Sequence, residues 1–361
     1  MKPIGERSEQ CVLVTDARAV GIVGGGTAAW ASAIGFAKRG WDVTVDDMGR
    51  VTRGVRIELL AAEAVRQLDH LGVDRRALSK IGSPCPGTWS RWDANSPQEV
   101  DQSSNLWGSA WAIEKGRLDT LLRDLAMRMG VEIGRVTTDT ASPKNGAWRI
   151  LATGAAPRRT GDAEAIDDLI AITVCGPLRT ACSATDARLL IEALPEGWAY
   201  GLLGPARCAG AAFITDAAVL KGRNWRSIAI EALRTTERIW ALVDGLAGPL
   251  HLSAVPVPCR WCPVLAKDCV VRAGDAQASH DPIAGRGIWH ALWSANRIAE
   301  CLDGTGGSLA AMEQATRLGY CDYLKRRQQL YTQGLYRFGS PFWSRRVHRA
   351  ALVDERWAFN R

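Results

Sequence analysis

The hydrophobic positions along the chain predict an alternation of strands and helices. Val20–Val23 form a short apolar run that is typical of a buried strand, and residues 27 to about 38 place apolar side chains at helical spacing. A second strand is predicted over 41–47, and amphipathic helices are predicted over Leu59–Leu71 and Lys115–Met127. Because strands and helices follow one another in this order, the sequence predicts an α/β fold.

Later segments show other patterns. Residues 83–110 are rich in Pro and Trp and predict an irregular stretch, while residues 165–218 predict short strands broken by Gly and Pro. Residues 270–276 predict a short buried strand that runs into a loop, and the helix after it is expected to begin near Gly287 and reach Ala299. The last 55 or so residues predict one or two long helices.

Composition narrows the class of protein. The chain has 361 residues, of which 47% are hydrophobic and 23% charged, and this excludes disordered and fibrous proteins. No apolar run reaches the roughly 18 residues that a membrane helix needs, and the N-terminal residues lack the apolar stretch of a secretory signal. We therefore expect a cytoplasmic protein without a membrane segment, in which the ten cysteines are reduced.

Cys259 and Cys262 form a Cys-x-x-Cys pair that could suggest a metal or redox site. The chain has no second such pair, and no histidines lie nearby at ligand spacing, so the pattern does not indicate zinc. We expect no metal, and we interpret this pair as part of a loop that leads to the strand at Val270.

The positive charge is concentrated near the C-terminus. The net charge is +7, and from Tyr323 onwards there are nine basic residues and two acidic ones, so this segment holds the whole excess. A basic helical segment is more typical of a solvated face or a docking surface than of a DNA-binding element, and we expect no nucleic acid as a partner. We expect the segment, with Arg345 and Arg346, to dock an acidic or extended partner.

A glycine-rich turn joins the first predicted strand to the first helix. Gly24 permits a tight turn, and Gly26 lets a pyrophosphate approach the free N–H groups at the start of the helix. Ala29 stands at the third glycine position, and an acidic residue at the end of the second strand is expected to hold a ribose hydroxyl, with Asp46 as the alternative to Asp47. The predicted dinucleotide-binding residues are Gly24, Gly26, Thr27, Ala28 and Asp47.

A second turn, about 250 residues later, changes the expected cofactor. A strand that ends in Gly274 and Asp275 places a carboxylate where the ribityl hydroxyls of a flavin would lie, and glycines before the next helix let backbone amides face the flavin ring. The two turns together predict FAD and exclude a nicotinamide-only protein. The residues predicted to bind FAD at this turn are Gly274, Asp275, Pro282, Gly285, Gly287 and Ile288.

This pair of motifs resembles the FAD fold of the para-hydroxybenzoate hydroxylase class and of the flavin-dependent tryptophan halogenases. Further segments resemble one subgroup, the maturation flavoproteins of the cysteine-tryptophylquinone amine and amino-acid oxidases, such as the partners of lysine oxidase and glycine oxidase. These segments are Trp107–Gly108, Trp111–Lys115, Leu118–Asp119, Leu190–Tyr200, Thr215–Asp216, the set Tyr320, Tyr323, Arg327 and Tyr331, and Ser340–Arg346.

The resemblance implies a particular architecture. It is a Rossmann-like FAD-binding domain with an inserted β-rich substrate domain and a C-terminal helical region. The implied boundaries are 17–83, 109–160 and 265–303 for the discontinuous FAD domain, 84–108 and 161–264 for the substrate domain, and 304–361 for the basic helical region. The resemblance also assigns Lys115 to cofactor binding, since it stands at the basic position of the family's acid-basic pair.

The implied activity is FAD-dependent monooxygenation of an aromatic substrate, an indole or a tryptophan within a precursor peptide or protein. It would proceed through a flavin hydroperoxide and would need O2 and a reductant, either NAD(P)H or a separate flavin reductase. Candidate catalytic residues are His290, His280 and Arg286, although each histidine could also be a cap or core residue and Arg286 could face solvent. Candidate substrate-pocket residues are Trp198, Tyr200 and Trp89, for which core packing is the alternative.

Two other functions stay open. A halogenase needs a lysine that directs hypohalous acid and a Trp-x-Trp-x-Ile-Pro segment, but Trp198 and Tyr200 are followed by Gly201 and Leu202, and no pattern marks Lys80 as that lysine. We therefore prefer hydroxylation. The family's Gly-Glu-Ser element survives only as Glu58, and its Asp-Ala-Thr-Gly-Arg element lacks the Asp and the Arg, which leaves a non-catalytic flavoprotein chaperone as the third possibility.

Overall fold

The fold was obtained as a computed structural model, which describes residues 18–47, 56–92, 96–102, 105, 107–135, 147–155, 163–180 and 186–348. Within these ranges the chain forms three β-sheets and ten α-helices. The architecture is α/β, as the sequence predicts. The domain boundaries given above stay a prediction.

The first sheet has six strands and is almost entirely parallel. Its strands are β1 (Ala19–Val23), β2 (Asp42–Asp46), β8 (Glu132–Ile133), β9 (Trp148–Leu151), β15 (Ala266–Lys267) and β16 (Val270–Arg272). They lie in the order β15-β16-β9-β1-β2-β8, and only the β15–β16 pair is antiparallel. The predicted strand, turn, helix and second strand at the start of this sheet are confirmed.

Helices cover this sheet and share its core. They are α1 (Thr27–Ala37), α2 (Ala62–Leu71), α4 (Lys115–Arg128) and α8 (Gly287–Leu302), with the short α3 (Arg75–Leu78) nearby. Apolar residues of α1 and α8, such as Ile34 and Leu292, are fully buried in one cluster with the strands. The predicted helices near 115–127 and 287–299 are confirmed.

The prediction of a helix from Leu59 was wrong at its start. Leu59 and Leu60 belong to β3 (Ile57–Leu60), which pairs with β7 (Ala110–Glu114) in a three-stranded sheet completed by β4 (Gly82–Cys85). Antiparallel pairing with a strand some 50 residues away therefore outweighs the local helical spacing.

The second large sheet has eight strands. They are β5 (Gly87–Arg91), β6 (Gln98–Asp101), β10 (Glu164–Pro177), β11 (Leu189–Leu194), β12 (Gly197–Leu203), β13 (Cys208–Asp216), β14 (Leu252–Trp261) and β17 (Ala278–Ser279). Their order is β17-β14-β10-β13-β12-β11-β5-β6, and every neighbouring pair is antiparallel except β11 and β5. Short helices α5 (Ala217–Leu220), α6 (Trp225–Arg234) and α7 (Ile239–Asp244) follow β13.

Three expectations fail in this region. β10 is 14 residues long rather than a short strand, because it pairs with β13 on one side and β14 on the other along most of its length. The stretch over 83–110 contributes β5 and β6 and is not irregular throughout. Cys259 lies within β14 and not in a loop, and its thiol lies 3.2 Å from the hydroxyl groups of Tyr320 and Tyr323.

Up to residue 348 the C-terminal part forms one long helix, as predicted, and one short helix. They are α9 (Leu309–Phe338), with Ser308 as its N-cap, and α10, which covers 341–348. At 30 residues α9 is about 45 Å long. No helix in the described part of the chain is both long enough and apolar enough to cross a membrane.

A buried network of charged residues ties α9 and α10 to the rest of the fold. Arg327 is 3% exposed and contacts the carboxylates of Asp167 on β10 and Asp281 before α8. Arg346 is 2% exposed and lies 3.1 Å from Asp167 and 2.9 Å from Asp216. These arginines are therefore structural ion-pair partners.

The expectation that Arg346 docks a partner is contradicted, because its side chain is 2% exposed, whereas docking by Arg345, which is 36% exposed, stays a prediction. Both guanidinium groups bind the Asp216 carboxylate, at 2.7 Å and 2.9 Å. Burial acts to raise the pKa of Asp216, but the two arginines outweigh it and hold that pKa below its ordinary value. A count of charges in the sequence cannot show that a guanidinium is already paired with a buried acid.

Candidate functional site

The first glycine turn follows β1 and leaves one side open. Gly24 has φ +140° and donates its N–H to the Asp46 carbonyl at 3.1 Å, and a Cβ atom here would lie 2.2 Å from the Ala152 carbonyl oxygen. Only glycine fits such a position. A Cβ atom at Gly26 would meet no protein atom within 4 Å, so the space beside Gly26 can take a ligand.

The start of α1 is locked to α4 by a small polar cluster. The Thr27 hydroxyl donates to one oxygen of Asp119 at 2.6 Å, and the Lys115 ammonium donates to the other at 2.5 Å. Thr27 is buried, and this bond commits its hydroxyl to the protein. The free N–H groups of the first turn of α1 carry the positive end of the helix dipole and suit an anionic group.

Asp47 lies where a ribose ligand is expected. It directly follows β2, and a Cβ atom on Gly25 would lie 2.1 Å from an Asp47 carboxylate oxygen, so the carboxylate rests against the glycine turn. The Arg123 guanidinium is 3.9 Å away. Asp46, the alternative, uses its carbonyl to hold the turn itself. Asp47 stays the predicted ribose ligand.

The second turn packs directly onto the first helix. Gly274 has φ +59°, and a Cβ atom here would lie 2.9 Å from the Ala28 side chain. Its N–H donates to the Ser294 hydroxyl of α8 at 2.8 Å. The structure therefore brings the two glycine turns together, which are separated by about 250 residues, and gives Ala28 a packing role between them.

Asp275 follows Gly274 at this junction. Its side chain is accessible to solvent, yet surrounding protein atoms desolvate it and raise its pKa to about 6. The nearby Glu58 carboxylate acts in the same direction, and the Lys115 ammonium acts in the opposite one. Glu58 and Lys115 therefore lie near enough to Asp275 for their charges to act on its carboxylate.

The turn before α8 presents a second helix N-terminus. Pro282 begins a short 3-10 turn that ends at Gly285, whose φ of +59° favours glycine. α8 then begins at Gly287, where a Cβ atom would meet no protein atom within 4 Å, and Ile288 is buried behind it. The amides of this turn are therefore open to a ligand, as the sequence predicts for a flavin ring.

The two candidate histidines lie side by side, with His290 3% exposed and His280 half-buried. Their ring centroids are 5.2 Å apart, and His280 also lies 4.8 Å from the ring of Tyr323. Burial lowers the pKa of His290 to about 4 and that of His280 well below its ordinary value, and the charge of Arg286 acts in the same direction. Both rings are therefore neutral at neutral pH.

Each histidine has an unused nitrogen. Nδ1 of His280 and Nε2 of His290 are buried and have no hydrogen-bond partner among the described residues. A buried polar atom without a partner is costly unless a ligand or water satisfies it. Arg286 caps α8 beside the pair, with its guanidinium 5.5 Å from the Trp289 ring.

The structure does not gather the three candidate pocket aromatics around a cavity. Trp89 and Trp198 are each 1% exposed and belong to the hydrophobic core of the eight-stranded sheet. Trp198 packs 6.0 Å from Trp92 and donates its indole N–H to the Tyr331 hydroxyl, because β12 is an inner strand covered by other elements. Tyr200 is half-buried, and burial raises its pKa, as does the Glu58 carboxylate nearby.

The anchor of the second turn was missed in the sequence. Asp281 accepts hydrogen bonds from Arg327 Nε at 2.8 Å and from the Tyr331 hydroxyl at 2.7 Å, and its own N–H donates to the Tyr323 hydroxyl at 2.8 Å. Tyr323, Arg327 and Tyr331 are four residues apart along α9 and so share one face. That spacing was the signal in the sequence that these three side chains act together. Their shared partner, Asp281, lies about 50 residues earlier, and no local pattern identifies it.

Comparison with known proteins gives a fold but no family. No family model matches the chain, and no curated protein matches its sequence. Among solved structures, it is similar to the flavin-dependent halogenase CmlS, with a TM-score of 0.74, 18% identity, and coverage of 94% of this chain and 70% of CmlS. It is similar to QhpG, a peptidyl tryptophan dihydroxylase essential for tryptophylquinone cofactor biogenesis, with a TM-score of 0.70, 20% identity, and coverage of 91% and 78%.

A third similar structure is a tryptophan halogenase from Shewanella frigidimarina, with a TM-score of 0.71, 14% identity, and coverage of 92% of this chain and 80% of that one. The chain has the fold of these flavoproteins. This confirms the predicted fold class, with its Rossmann-like sheet and its large β-rich part.

The residues present fit an FAD molecule. The open sides of Gly26 and Gly287, the two helix N-termini and the accessible Asp275 carboxylate lie along one junction. The Thr153 hydroxyl is another buried polar atom without a partner among the described residues, and it follows Ala152, which contacts the first glycine turn. Open backbone and unsatisfied polar groups at one place are the features of a ligand site.

Proposed function

We propose that this chain is an FAD-dependent monooxygenase that hydroxylates a tryptophan side chain within a peptide or protein. The observation that carries the proposal is the junction of the two glycine turns at Gly274 and Ala28, in a fold shared with QhpG. Hydroxylation of a free indole would be the same reaction on a substrate that is not part of a peptide. The protein would act in the cytoplasm, with NAD(P)H or a separate flavin reductase as the electron donor.

The cofactor would be held along the whole junction. Gly24, Gly26 and the start of α1 would bind the pyrophosphate, and Asp47 would accept a hydrogen bond from the ribose. Asp275 would face the ribityl chain, and the amides at the start of α8 would face the ring. When bound and reduced, FAD supplies the activation of O2 that such a hydroxylation needs.

The chain's own residues would orient the substrate and manage a proton. An electron-rich indole needs a fixed position more than it needs an activated nucleophile. The neutral rings of His280 and His290 each have an unused nitrogen that can hold or pass a proton. Arg286 places a positive charge at the same turn, where it would favour a negatively charged reduced ring.

Halogenation is the second candidate, supported by the likeness to CmlS. Two features count against it. Lys80 is exposed at the end of α3, and the Trp198–Tyr200 segment, which stands where the halogenase motif would be, places Trp198 in the core. Chloride-dependent incorporation of halogen into a product would favour this function. A non-catalytic chaperone would bind the flavin and a partner but consume no O2 with any tryptophan-containing peptide.

The proposal is tested by flavin binding first and by product second. Gly26→Val fills the open space beside the first turn, so the purified variant should keep the Tm of the wild-type apoprotein and lose FAD on reconstitution. Gly319→Val is the matched control, because Gly319 also has open space and lies on α9, away from the junction. The reconstituted wild type, given a reductant, O2 and a tryptophan-containing peptide, should add one or two oxygen atoms, as measured by mass spectrometry.

Wild-type protein that stays colourless after reconstitution would refute the proposal. So would equal FAD binding by Gly26→Val and wild type, since the pyrophosphate would then lie elsewhere.

A further inference from the structure

A pocket lies between the second glycine turn and α9. Its volume is about 210 Å³, which is enough for an aromatic side chain. Ile283 and Ala284 of the turn and Leu330 of α9 form apolar walls, and the pocket ends at Arg286 beside the start of α8. One wall of this pocket is thus the turn that is proposed to face the flavin ring.

The arginines of this pocket differ in how strongly their guanidinium groups are already paired. Arg327 lines it but is already bound to two buried carboxylates. Arg326 is different, because its side chain is 69% exposed and its ion pair is with Asp322 one turn away at the surface, a type of contact that contributes little energy. Among the described residues, Arg286 forms no ion pair, and its guanidinium lies 5.5 Å from the Trp289 ring centroid. Arg286 and Arg326 can therefore bind a carboxylate from outside.

The same helix continues the pocket as a polar strip. A second, more open depression lies on the neighbouring face of α9, and its lining residues are Lys325, Gln328, Gln329, Thr332 and Gln333. Glutamine amides both donate and accept hydrogen bonds, as the backbone of an extended peptide requires. A small free aromatic compound would contact the pocket alone, whereas the backbone of a peptide would also extend along this strip.

We propose that the pocket and the strip of α9 bind an acidic peptide segment, so that an aromatic side chain enters between Ile283 and Leu330 while neighbouring carboxylates bind Arg286 and Arg326. This inference rests on the proposed function, because it names the kind of substrate that the site takes. Charge complementarity selects the partner, since the exposed cations here outnumber the single acid, Asp322. The docking surface thus lies on α9, and not at the buried Arg346.

Fluorescence anisotropy on the full-length protein tests this without any turnover. Three fluorescein-labelled probes share one frame, Gly-Ser-X-Trp-X-Ser-Gly, with X as Glu, Gln or Lys. The wild type should bind the Glu probe up to about tenfold more tightly than the Gln probe, which is the combined effect of two exposed ion pairs, one at Arg286 and one at Arg326. Arg326→Glu should lose this preference and bind the Lys probe better than the Glu probe.

The matched control is Arg76→Glu, which makes the same change of charge on α3, where Arg76 is exposed. It should bind all three probes as the wild type does. Equal affinities of the wild type for the Glu and Gln probes would overturn the inference, and so would an equal loss in Arg76→Glu and Arg326→Glu. If oligothymidylate displaced the Glu probe and bound as tightly as that probe does, the strip would be a nucleic-acid site. This result would also overturn the inference.

Failure of the proposed function gives a different result. If the chain bound the Glu probe as expected but never oxidised a tryptophan, the proposed docking surface would be supported and the proposed monooxygenase activity would be refuted. If it oxidised the Gln and Glu peptides with equal KM, the proposed monooxygenase activity would be supported and the proposed docking surface would be refuted.

Discussion

Replacement of Arg327 by Met tests whether the C-terminal helix stabilises the second glycine turn. The side chain is 3% exposed and joins Asp167 to Asp281, so Met keeps the apolar part of the side chain but removes the guanidinium and leaves two buried carboxylates short of a partner. Removing one partner of a buried ion pair costs about 3–5 kcal/mol. Since the entropy of unfolding is roughly 2.1 cal/mol/K per residue, this loss lowers the Tm of a chain of this length by about 4–7 °C.

The assay is thermal unfolding followed by circular dichroism, with Arg326→Met as the matched control. Arg326 is the next residue but is largely exposed, and its pair with Asp322 at i,i+4 is worth only about 0.3–0.5 kcal/mol. Its replacement should shift the Tm by about 1 °C or less. Arg327→Lys should fall between the two, because one ammonium keeps the charge but lacks the planar fork. A Tm for Arg327→Met within 1 °C of the control would refute the account of the buried network.

Two further predictions concern pH. His290 has a pKa of about 4 in the folded protein, below its unfolded value of about 6.5, so it stabilises the fold above pH 6.5 and this contribution is lost as the pH falls towards 4. The loss is about 2 kcal/mol at pH 5, and the Tm of His290→Gln should therefore fall less between pH 7 and pH 5 than that of the wild type. Asp275 has a pKa of about 6 that the Lys115 ammonium lowers, so FAD affinity measured by titration should rise through pH 6 as the carboxylate ionises, and Lys115→Met should move this midpoint to higher pH. An unchanged midpoint would place the Lys115 ammonium too far from Asp275 to act on it.

The parts of the fold that could be predicted from sequence are those with continuous local signals. The turn at Gly24 lies between an apolar strand and a largely apolar helix, and each of these three signals supports the other two. The turn at Gly274 was visible for the same reason. Its packing against Ala28 was expected only through the resemblance to flavoproteins, because nothing local in either segment shows that they meet.

The parts that could not be predicted depend on contacts distant in the sequence. The periodicity over Leu59–Leu71 says nothing of the strand that pairs with its first residues. The charge of Arg346 is visible in the sequence, but its burial against Asp216 is not. An aromatic ring such as Trp198 has the same appearance in a sequence whether it lines a cavity or fills a core, and here it fills the core.

The anchoring of Asp281 by α9 also orders events during synthesis. Asp281 leaves the ribosome 46 residues before Arg327 and 50 before Tyr331, so this carboxylate has neither its ion-pair partner nor its hydroxyl donor until both have been made. Until then the Asp281 carboxylate of the newly made turn lacks these two partners. A chain that ends before Arg327 therefore contains the sequence of every described strand but lacks the side chains that hold Asp281 in place.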